Sequence, residues 1–174
     1  MTAAEATGRE VRQDVAEVLV RYASGIDRRD WALLRTCFTD DCETDYGTIG
    51  TWHGAGAIAD WMQKAHARCG TTMHRVSNPD ITRDGDRVTA RSYCDAIVLM
   101  AGNQAGTRAV GIFDDDLVLT GQGWKIARRR YTLVLAEHYS EGRFGGLSSG
   151  SVHEPLNSGN ARQQEGRADF EEVQ

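Results

Sequence analysis

The stretch from Thr71 to Leu99 constrains the fold most, because it has the pattern of two long apolar-rich strands joined by a tight turn. The turn is predicted at Asp84-Gly85-Asp86, since a glycine after aspartate readily takes the positive φ that a hairpin connection needs. Antiparallel pairing about this turn brings the neighbourhoods of His74 and Asp95 side by side. A histidine and a carboxylate close together in an apolar sheet form either a satisfied core pair or an acid–base unit.

Composition limits the classes of protein that the chain can belong to. Its 174 residues, 40% of them hydrophobic and 26% charged, predict one globular domain. The net charge of −5 argues against a nucleic-acid surface. The basic triplet Arg128-Arg129-Arg130 lies in a strand-like pattern, so its members alternate between faces and cannot form one patch.

Sequence patterns favour a soluble protein, and the scarcity of lysine beside arginine favours a bacterial source. No apolar run approaches the ~20 residues of a membrane span, and the polar N-terminus does not resemble a signal peptide. The four cysteines lack the paired spacing of a zinc site or a disulfide framework. We therefore expect free thiols and a cytoplasmic location, with neither metal nor membrane as a partner.

Three helices and one short strand are predicted before the hairpin. Apolar residues at three- and four-residue steps indicate a helix over 9–26, with Tyr22 on its buried face and Asp27 at its end. Asp30 is a typical N-cap for a second helix over 31–38. A strand over 42–46, a loop over 47–56 and a third helix over 55–68 follow.

Two further strands, over 108–120 and 124–137, follow the hairpin, with a turn at Gly121-Gln122-Gly123. The acidic run Asp114-Asp115-Asp116 is interpreted as a solvated strand edge or bulge. From residue 139 the chain is rich in glycine, serine and charge. We therefore predict a domain over 1–138 and a polar tail over 139–174 that is extended or wraps across another surface.

The segment RYASGIDRRDWALLRTCFTDDCETDY resembles the first two helices and first strand of the SnoaL-like branch of the nuclear transport factor 2-like superfamily. GAGAIADWM, HRVSNPDITRDGDRVTARSYCDAIV and GIFDDDLVLTGQGWKIARRRY are similar to its third helix and its strands. The resemblance covers roughly residues 11–136 and implies a cone-shaped α+β barrel, in which a curved, mostly antiparallel sheet surrounds an apolar pocket closed by helices. It also implies a homodimer or homotrimer formed through the convex sheet face.

Within that superfamily the polar residues are similar to those of dehydratases such as scytalone dehydratase and bile-acid 7α-dehydratase. The resemblance implies catalytic roles for Tyr22, His74 and Asp95, with Tyr46 near the substrate. Scytalone dehydratase has a histidine where this chain has Asp95, so the bile-acid enzyme fits better. Arg129 matches a substrate-contacting arginine of the last strand, although alternation alone leaves Arg128 or Arg130 open.

These residues suit a cofactor-free elimination on an aromatic or polycyclic small molecule. His74 would remove a proton next to a carbonyl and return it to the leaving hydroxyl, with Asp95 fixing its tautomer. Tyr22, helped by Tyr46, would hydrogen-bond the developing oxyanion. The predicted apolar walls of the pocket are Trp52, Trp61, Met62 and Met73. A retro-aldol lyase would use the same groups.

Other interpretations remain open at this stage. A buried histidine is usually a satisfied core residue, and the paired Asp95 together with the resemblance favours catalysis for His74. Asp27 is either a second pocket acid, as in steroid-isomerase-like relatives, or a helix-end carboxylate bound to Arg28 or an amide. His53 could gate the pocket, and His66, His138 and His153 are expected at the surface. The competing functions are an isomerase or cyclase based on Asp27, a scaffold such as a dioxygenase β-subunit, and a ligand-binding module.

Overall fold

A computed structural model, which describes residues 8–85 and 87–140, shows an α+β protein with one six-stranded sheet. The helices are α1 (Gly8–Asp27), α2 (Trp31–Arg35) and α3 (Ala55–His66), and the strands are β1 (Phe38–Asp45), β2 (Thr51–His53), β3 (Cys69–Asp84), β4 (Arg87–Met100), β5 (Gly106–Thr120) and β6 (Gly123–Tyr139). The strands lie in the order β2-β1-β6-β5-β4-β3; β1 runs parallel to β6, and all other neighbours are antiparallel. The predicted cone-like α+β class is confirmed.

Helix α1 forms because its apolar residues recur on one face, which is buried at every turn from Val11 to Ile26. Helix α2 begins where predicted, with the Asp30 carboxylate accepting a hydrogen bond from the Leu33 amide at 2.9 Å. Its predicted end at residue 38 was wrong. The helix ends at Arg35, and Phe38 begins β1 because its fully buried ring is part of the sheet.

The loop predicted over 47–56 contains additional structure. Gly47–Ile49 forms a 3₁₀ turn, and Thr51–His53 forms β2, which pairs with the end of β1. A three-residue strand is too short to show alternation in the sequence, and its pairing with β1 alone makes it recognisable. The third helix also ends two residues earlier than expected, at His66.

The two predicted long hairpins are both present. Gly85 turns between β3 and β4 with φ +59°, which glycine adopts at little cost. Strands β5 and β6 pair from Thr120–Gly123 to Gly106–Tyr139. The tail predicted from residue 139 lies almost entirely outside the described residues, as does His153, so the domain boundary at 138 stays a prediction.

One face of the sheet packs on the helices and makes the core. Inward residues of β4 alternate with outward ones, so Val88, Ala90 and Cys94 are buried while Tyr93 is half exposed. Phe113, Trp124 and Ile126 are buried in the same core. The helix-facing side of the sheet is therefore where any buried site has to lie.

Candidate active site

His74 and Asp27 form a hydrogen-bonded pair where the end of α1 meets β3. The Asp27 Oδ1 atom lies 2.7 Å from His74 Nδ1, and Asp27 Oδ2 accepts the backbone N–H of His74 at 2.8 Å. Because a carboxylate only accepts, Nδ1 carries the ring proton and Nε2 keeps its lone pair when the ring is neutral. The arrangement is that of a general base held in one tautomer.

The environment keeps Asp27 ionised. Burial opposes the charged form, but the hydrogen bonds from His74 and Thr72 more than offset it, so the pKa of Asp27 lies below its ordinary value. The third donor is the Thr72 hydroxyl, 3.0 Å from Asp27 Oδ1. The sequence left two interpretations of Asp27 open, a pocket acid or a helix-end carboxylate. In the structure its carboxylate is hydrogen-bonded to His74.

Asp95 does not pair with His74, and the prediction that it does was wrong. It binds Arg108 at 2.9 and 3.0 Å and Arg75 at 2.7 Å on the opposite face of the sheet. These two arginines, Arg108 foremost, lower the pKa of Asp95 below its ordinary value. Its contacts are those of a surface ion-pair network rather than of an acid–base site.

A β-bulge causes this difference. Near the turn Asp80 pairs with Arg91, and that register, if continued, would put Asp95 on the face of His74. A shift between Ser77 and Asp80, where Asn78 has φ +51°, pairs His74 with Ala96 instead. A one-residue shift moves every following side chain to the other face.

A groove between α1 and β3 exposes the pair to solvent. It has a volume of about 370 Å³ and is lined by Val20, Ala23, Ser24, Asp27, Arg28, His74, Arg75 and Val76. The side chains of His74 and Asp27 are 9% and 24% exposed. The pair is thus shielded but reachable, as a group that exchanges protons with a substrate must be.

His66 lies beside the pair, although it was expected at the surface. Its ring centroid is 6.0 Å from that of His74, and its Nδ1 donates to the Met62 carbonyl at 2.8 Å. Burial lowers the pKa of His66 below its ordinary value, which favours the neutral ring. Its place in the last turn of α3 gave no sign of this contact in the sequence.

A second polar centre lies deep in the core, where two predicted tyrosines meet. The Tyr22 and Tyr46 hydroxyls are 2.9 Å apart, and both side chains are buried. Burial raises the pKa of Tyr22 and of Tyr46 above the ordinary range, so both stay protonated. One hydroxyl donates to the other, which leaves the second proton free to donate elsewhere.

Arg129 is the arginine of the triplet that faces inward. Its guanidinium stacks on the Tyr22 ring at 4.2 Å and on the Phe113 ring at 4.0 Å. Asp115 clamps it through two hydrogen bonds of 2.7 Å, and neither side chain has any exposed area. Arg129 Nη1 has no hydrogen-bond partner among the described residues.

The interpretation of the run Asp114-Asp115-Asp116 as a solvated edge was therefore wrong for Asp115. Strand β5 lies inside the sheet, and Asp115 faces inward between the outward Asp114 and Asp116. Burial raises the pKa of Asp115 and the arginine opposes that rise, whereas the pKa of Arg129 is raised by the carboxylate despite burial. The two charges make one buried, neutral ion pair.

Aromatic rings surround the tyrosines. The rings of Trp52 and Trp61 lie 4.3 Å apart, and each is within 6.5 Å of the Tyr46 ring. Met62 is buried in the same core, but Met73 is 42% exposed and pairs with Ile97 on the outer face. Met73 is therefore not a pocket wall, whereas the Tyr131 ring packs 5.4 Å from that of Tyr46.

In the described part of the chain, no three His, Cys, Asp or Glu side chains are grouped as ligands for a metal ion. The helices in those same residues are also too short or too polar to span a bilayer.

A curved sheet with helices packed on one face is the fold of the nuclear transport factor 2-like superfamily. The chain belongs to the SnoaL-like domain family, whose model matches residues 9–130. An uncharacterized protein of Mycobacterium tuberculosis, Rv2910c, is 32% identical over 120 residues, which are 68% of this chain and 82% of that protein.

Solved structures share the fold at lower identity. A type 2 hexachlorocyclohexane dehydrochlorinase, LinA, has a TM-score of 0.68 and 16% identity over 78% of this chain and 95% of its own. A Novosphingobium aromaticivorans protein named for scytalone dehydratase has a TM-score of 0.66 and 19% identity over 76% of this chain and 93% of its own. The structures that share this fold therefore include ones named for elimination enzymes.

Proposed function

We propose that this protein is a cofactor-independent lyase, of the dehydratase or retro-aldol type, that acts on an aromatic or polycyclic small molecule. The observation that carries the proposal is the pair of Asp27 and His74, with Nδ1 bound to an ionised carboxylate and Nε2 left free as a base. The fold likeness to a dehydrochlorinase and to a protein named for scytalone dehydratase supports elimination as the reaction class.

In the proposed dehydration, His74 Nε2 takes a proton from the carbon next to a carbonyl. The C–H electron pair forms the new double bond while the C–O bond at the β-carbon breaks. The departing hydroxide takes the proton back from the imidazolium and leaves as water, so the histidine ends neutral. Asp27 stabilises the transient imidazolium without being protonated.

Tyr22, supported by a hydrogen bond from Tyr46, is the proposed donor to the carbonyl oxygen, whose negative charge grows in the transition state. Tyr22 and Asp27 both project from α1, five residues and therefore roughly 7.5 Å apart along its axis. Arg129 Nη1, buried and unpartnered beside the tyrosines, is the proposed further donor.

Two observations separate this proposal from its competitors. In an isomerase, Asp27 itself would be the base, but its two oxygens already accept three hydrogen bonds and its lowered pKa makes it a weak base. A scaffold subunit would not require a largely buried histidine that is held in one tautomer. Both features favour His74 as the reacting group.

The test is proton NMR in D₂O with a panel of aryl and fused-ring β-hydroxyketones. The wild type should exchange the α-proton and release water from at least one member. His74→Gln should abolish both reactions, and Asp27→Asn should lower them at least about tenfold. His138→Gln, which alters an exposed histidine of β6, is the matched control and should match the wild type.

Each remaining result assigns a different function. Full activity in His74→Gln with loss in Asp27→Asn would identify the isomerase mechanism. Exchange and elimination absent from the wild type across the whole panel, with normal folding, would overturn the lyase proposal in favour of a scaffold. The four free thiols, three of them buried, agree with a reducing compartment, and we extend the proposal to the bacterial cytoplasm.

We also propose that the protein assembles with further copies of itself through the sheet face turned away from the helices. Tyr93, opposite Ile112, is 49% exposed there, and Leu135, opposite Val110, is 45% exposed. Beside this apolar patch, outward side chains make stripes of alternating charge: Arg87 and Arg91 on β4, Asp114 and Asp116 on β5, Arg128 and Arg130 on β6, and Glu43 and Asp45 on β1. A second copy offset by one strand would meet stripes of opposite sign.

A further inference from the structure

Behind the acid–base pair, a chain of hydrogen bonds leads away from Asp27 to the turn after α1. Thr72, two residues before His74 on β3, donates its hydroxyl proton to Asp27 Oδ1 at 3.0 Å. The same hydroxyl oxygen lies 2.8 Å from Arg29 Nη1. Thr72 is buried, so these two contacts replace water as its partners.

The direction of each bond follows from the chemistry of the groups. A guanidinium can only donate, so the Thr72 oxygen accepts from Arg29. A carboxylate can only accept, so the single hydroxyl proton of Thr72 points to Asp27. Arg29 thereby removes the alternative rotamer in which the hydroxyl proton turns away from the acid.

Arg29 itself is rigidly held. Beyond Thr72, its Nη1 donates to the Ile26 carbonyl at 2.7 Å and its Nη2 to the Gly70 carbonyl at 2.9 Å. Its backbone has φ +59°, a left-handed conformation that residues with a side chain seldom adopt. The guanidinium thus ties the end of α1 to the start of β3 on both sides of Asp27.

This placement also offsets an unfavourable position for the acid. A carboxylate at the C-terminal end of a helix faces the negative end of the helix dipole. Arg29 places a positive charge on a last-turn carbonyl, next to that carboxylate. The positive charge of Arg29 therefore offsets the unfavourable effect of the helix dipole on the Asp27 carboxylate.

We propose that Arg29 and Thr72 are positioning residues, which hold Asp27 ionised with Oδ1 directed at His74 Nδ1. The inference rests on the proposed function for its consequence in catalysis, but the positioning itself is measurable without turnover. Neither residue touches the proposed reacting atom, Nε2 of His74. Their effect is transmitted through Asp27 alone.

The first measurement is a ¹³C NMR titration of the Asp27 carboxyl group in the whole protein. Thr72→Val keeps the shape of the side chain and removes the donor, so the pKa of Asp27 should rise by about half a unit or more toward its ordinary value. Thr72→Ser keeps the donor and should leave the wild-type value. Thr71→Val is the matched control, because Thr71 is the exposed neighbour whose hydroxyl pairs with Asn103.

Other titratable groups lie near Asp27 and must be followed in the same spectra. His66 on α3 and Cys94 on β4 interact with it electrostatically, and Arg28 and Arg75 line the groove. Arg29→Gln provides a second route to the same end. It frees the Thr72 hydroxyl to rotate and should raise the pKa of Asp27 in the direction of the Thr72→Val change.

The second measurement is the elimination assay with any substrate that the wild type accepts. Thr72→Val should lower kcat about tenfold with KM unchanged, and Thr72→Ser should stay within about twofold. An unshifted Asp27 titration in folded Thr72→Val and Arg29→Gln would overturn the inference. If Thr72→Val does not fold, Thr72→Ala and Arg29→Gln give the same reading. A wild type without activity would overturn the proposed function and leave the titration result standing.

Discussion

The buried pair of Asp115 and Arg129 offers the sharpest test of how this core is stabilised. The substitution Asp115→Asn replaces the carboxylate with an amide of nearly the same shape. The carboxylate offers two acceptor oxygens to the guanidinium, whereas the amide offers one acceptor oxygen and one donor NH₂ group. The two 2.7 Å bonds cannot both be kept, and Arg129 has no exposed area through which water could replace them. The substitution therefore leaves a buried charge without its counter-charge.

The expected cost follows from that burial. Removing one partner of a fully buried ion pair destabilises a protein by roughly 3–5 kcal/mol. The stacking of Arg129 on Tyr22 and Phe113 persists in the variant, and it keeps the loss within that range rather than above it. Asp114→Asn is the control on the next residue, since its pair with Arg91 is 42% and 55% exposed and contributes at most about 1 kcal/mol.

Urea unfolding followed by tryptophan fluorescence measures both losses. The double variant Asp115→Leu with Arg129→Met separates two causes, because it removes both charges and keeps an apolar core. It should recover most of the stability that Asp115→Asn loses. A loss below about 1 kcal/mol in Asp115→Asn would mean that the pair is solvated. A double variant as unstable as the single one would mean that contact geometry, not the uncompensated charge, decides the effect.

Three further predictions concern pH, thiols and assembly. The pKa of Asp27 in the folded protein lies below its unfolded value of 3.8. Its stabilising effect is therefore present above pH 3.8 and is lost as the pH falls through the folded pKa. The stability of Asp27→Asn should depend less on pH in that acid range than the stability of the wild type does. At pH 8 a thiol reagent should modify half-buried Cys69 first, because burial raises the pKa of each of the other three, Cys37, Cys42 and Cys94, to about 11. Tyr93→Glu should convert the assembled protein to monomers in light-scattering chromatography, whereas Lys64→Glu on the exposed face of α3 should not.

The long elements were predictable from the sequence because each satisfies a local rule. Alternation and the Asp-Gly turn indicated the first hairpin, and the helical spacing of apolar residues indicated α1 within one residue at each end. The family resemblance was confirmed by the family match. Local rules do not fix register over distance, however, and one bulge at Asn78 was enough to move Asp95 away from His74.

The inward position of Asp115 was predictable from the alternation of side chains along a strand. Alternation was applied to Arg128-Arg129-Arg130 and predicted that its members face both sides, which Arg129 bears out. The same argument applied to Asp114-Asp115-Asp116 predicts one inward acid, and two paired strands then bring it to the inward arginine. The network of Arg29 and Thr72 had no such signal, because it joins residues 43 apart through a turn with an unusual backbone angle.

The two polar centres differ in a way that assigns them different parts in the proposed reaction. The tyrosines, Arg129 and Asp115 are buried and together carry no net charge, so a proton or an ion delivered there would be poorly solvated. His74 and Asp27 are partly exposed at the groove and carry one negative charge when the histidine is neutral. Protonation of His74 makes that pair neutral, whereas protonation at the deep centre would make it charged. Proton transfer is therefore cheaper at the groove, and the deep centre is suited to holding a neutral oxygen whose partial charge grows during reaction.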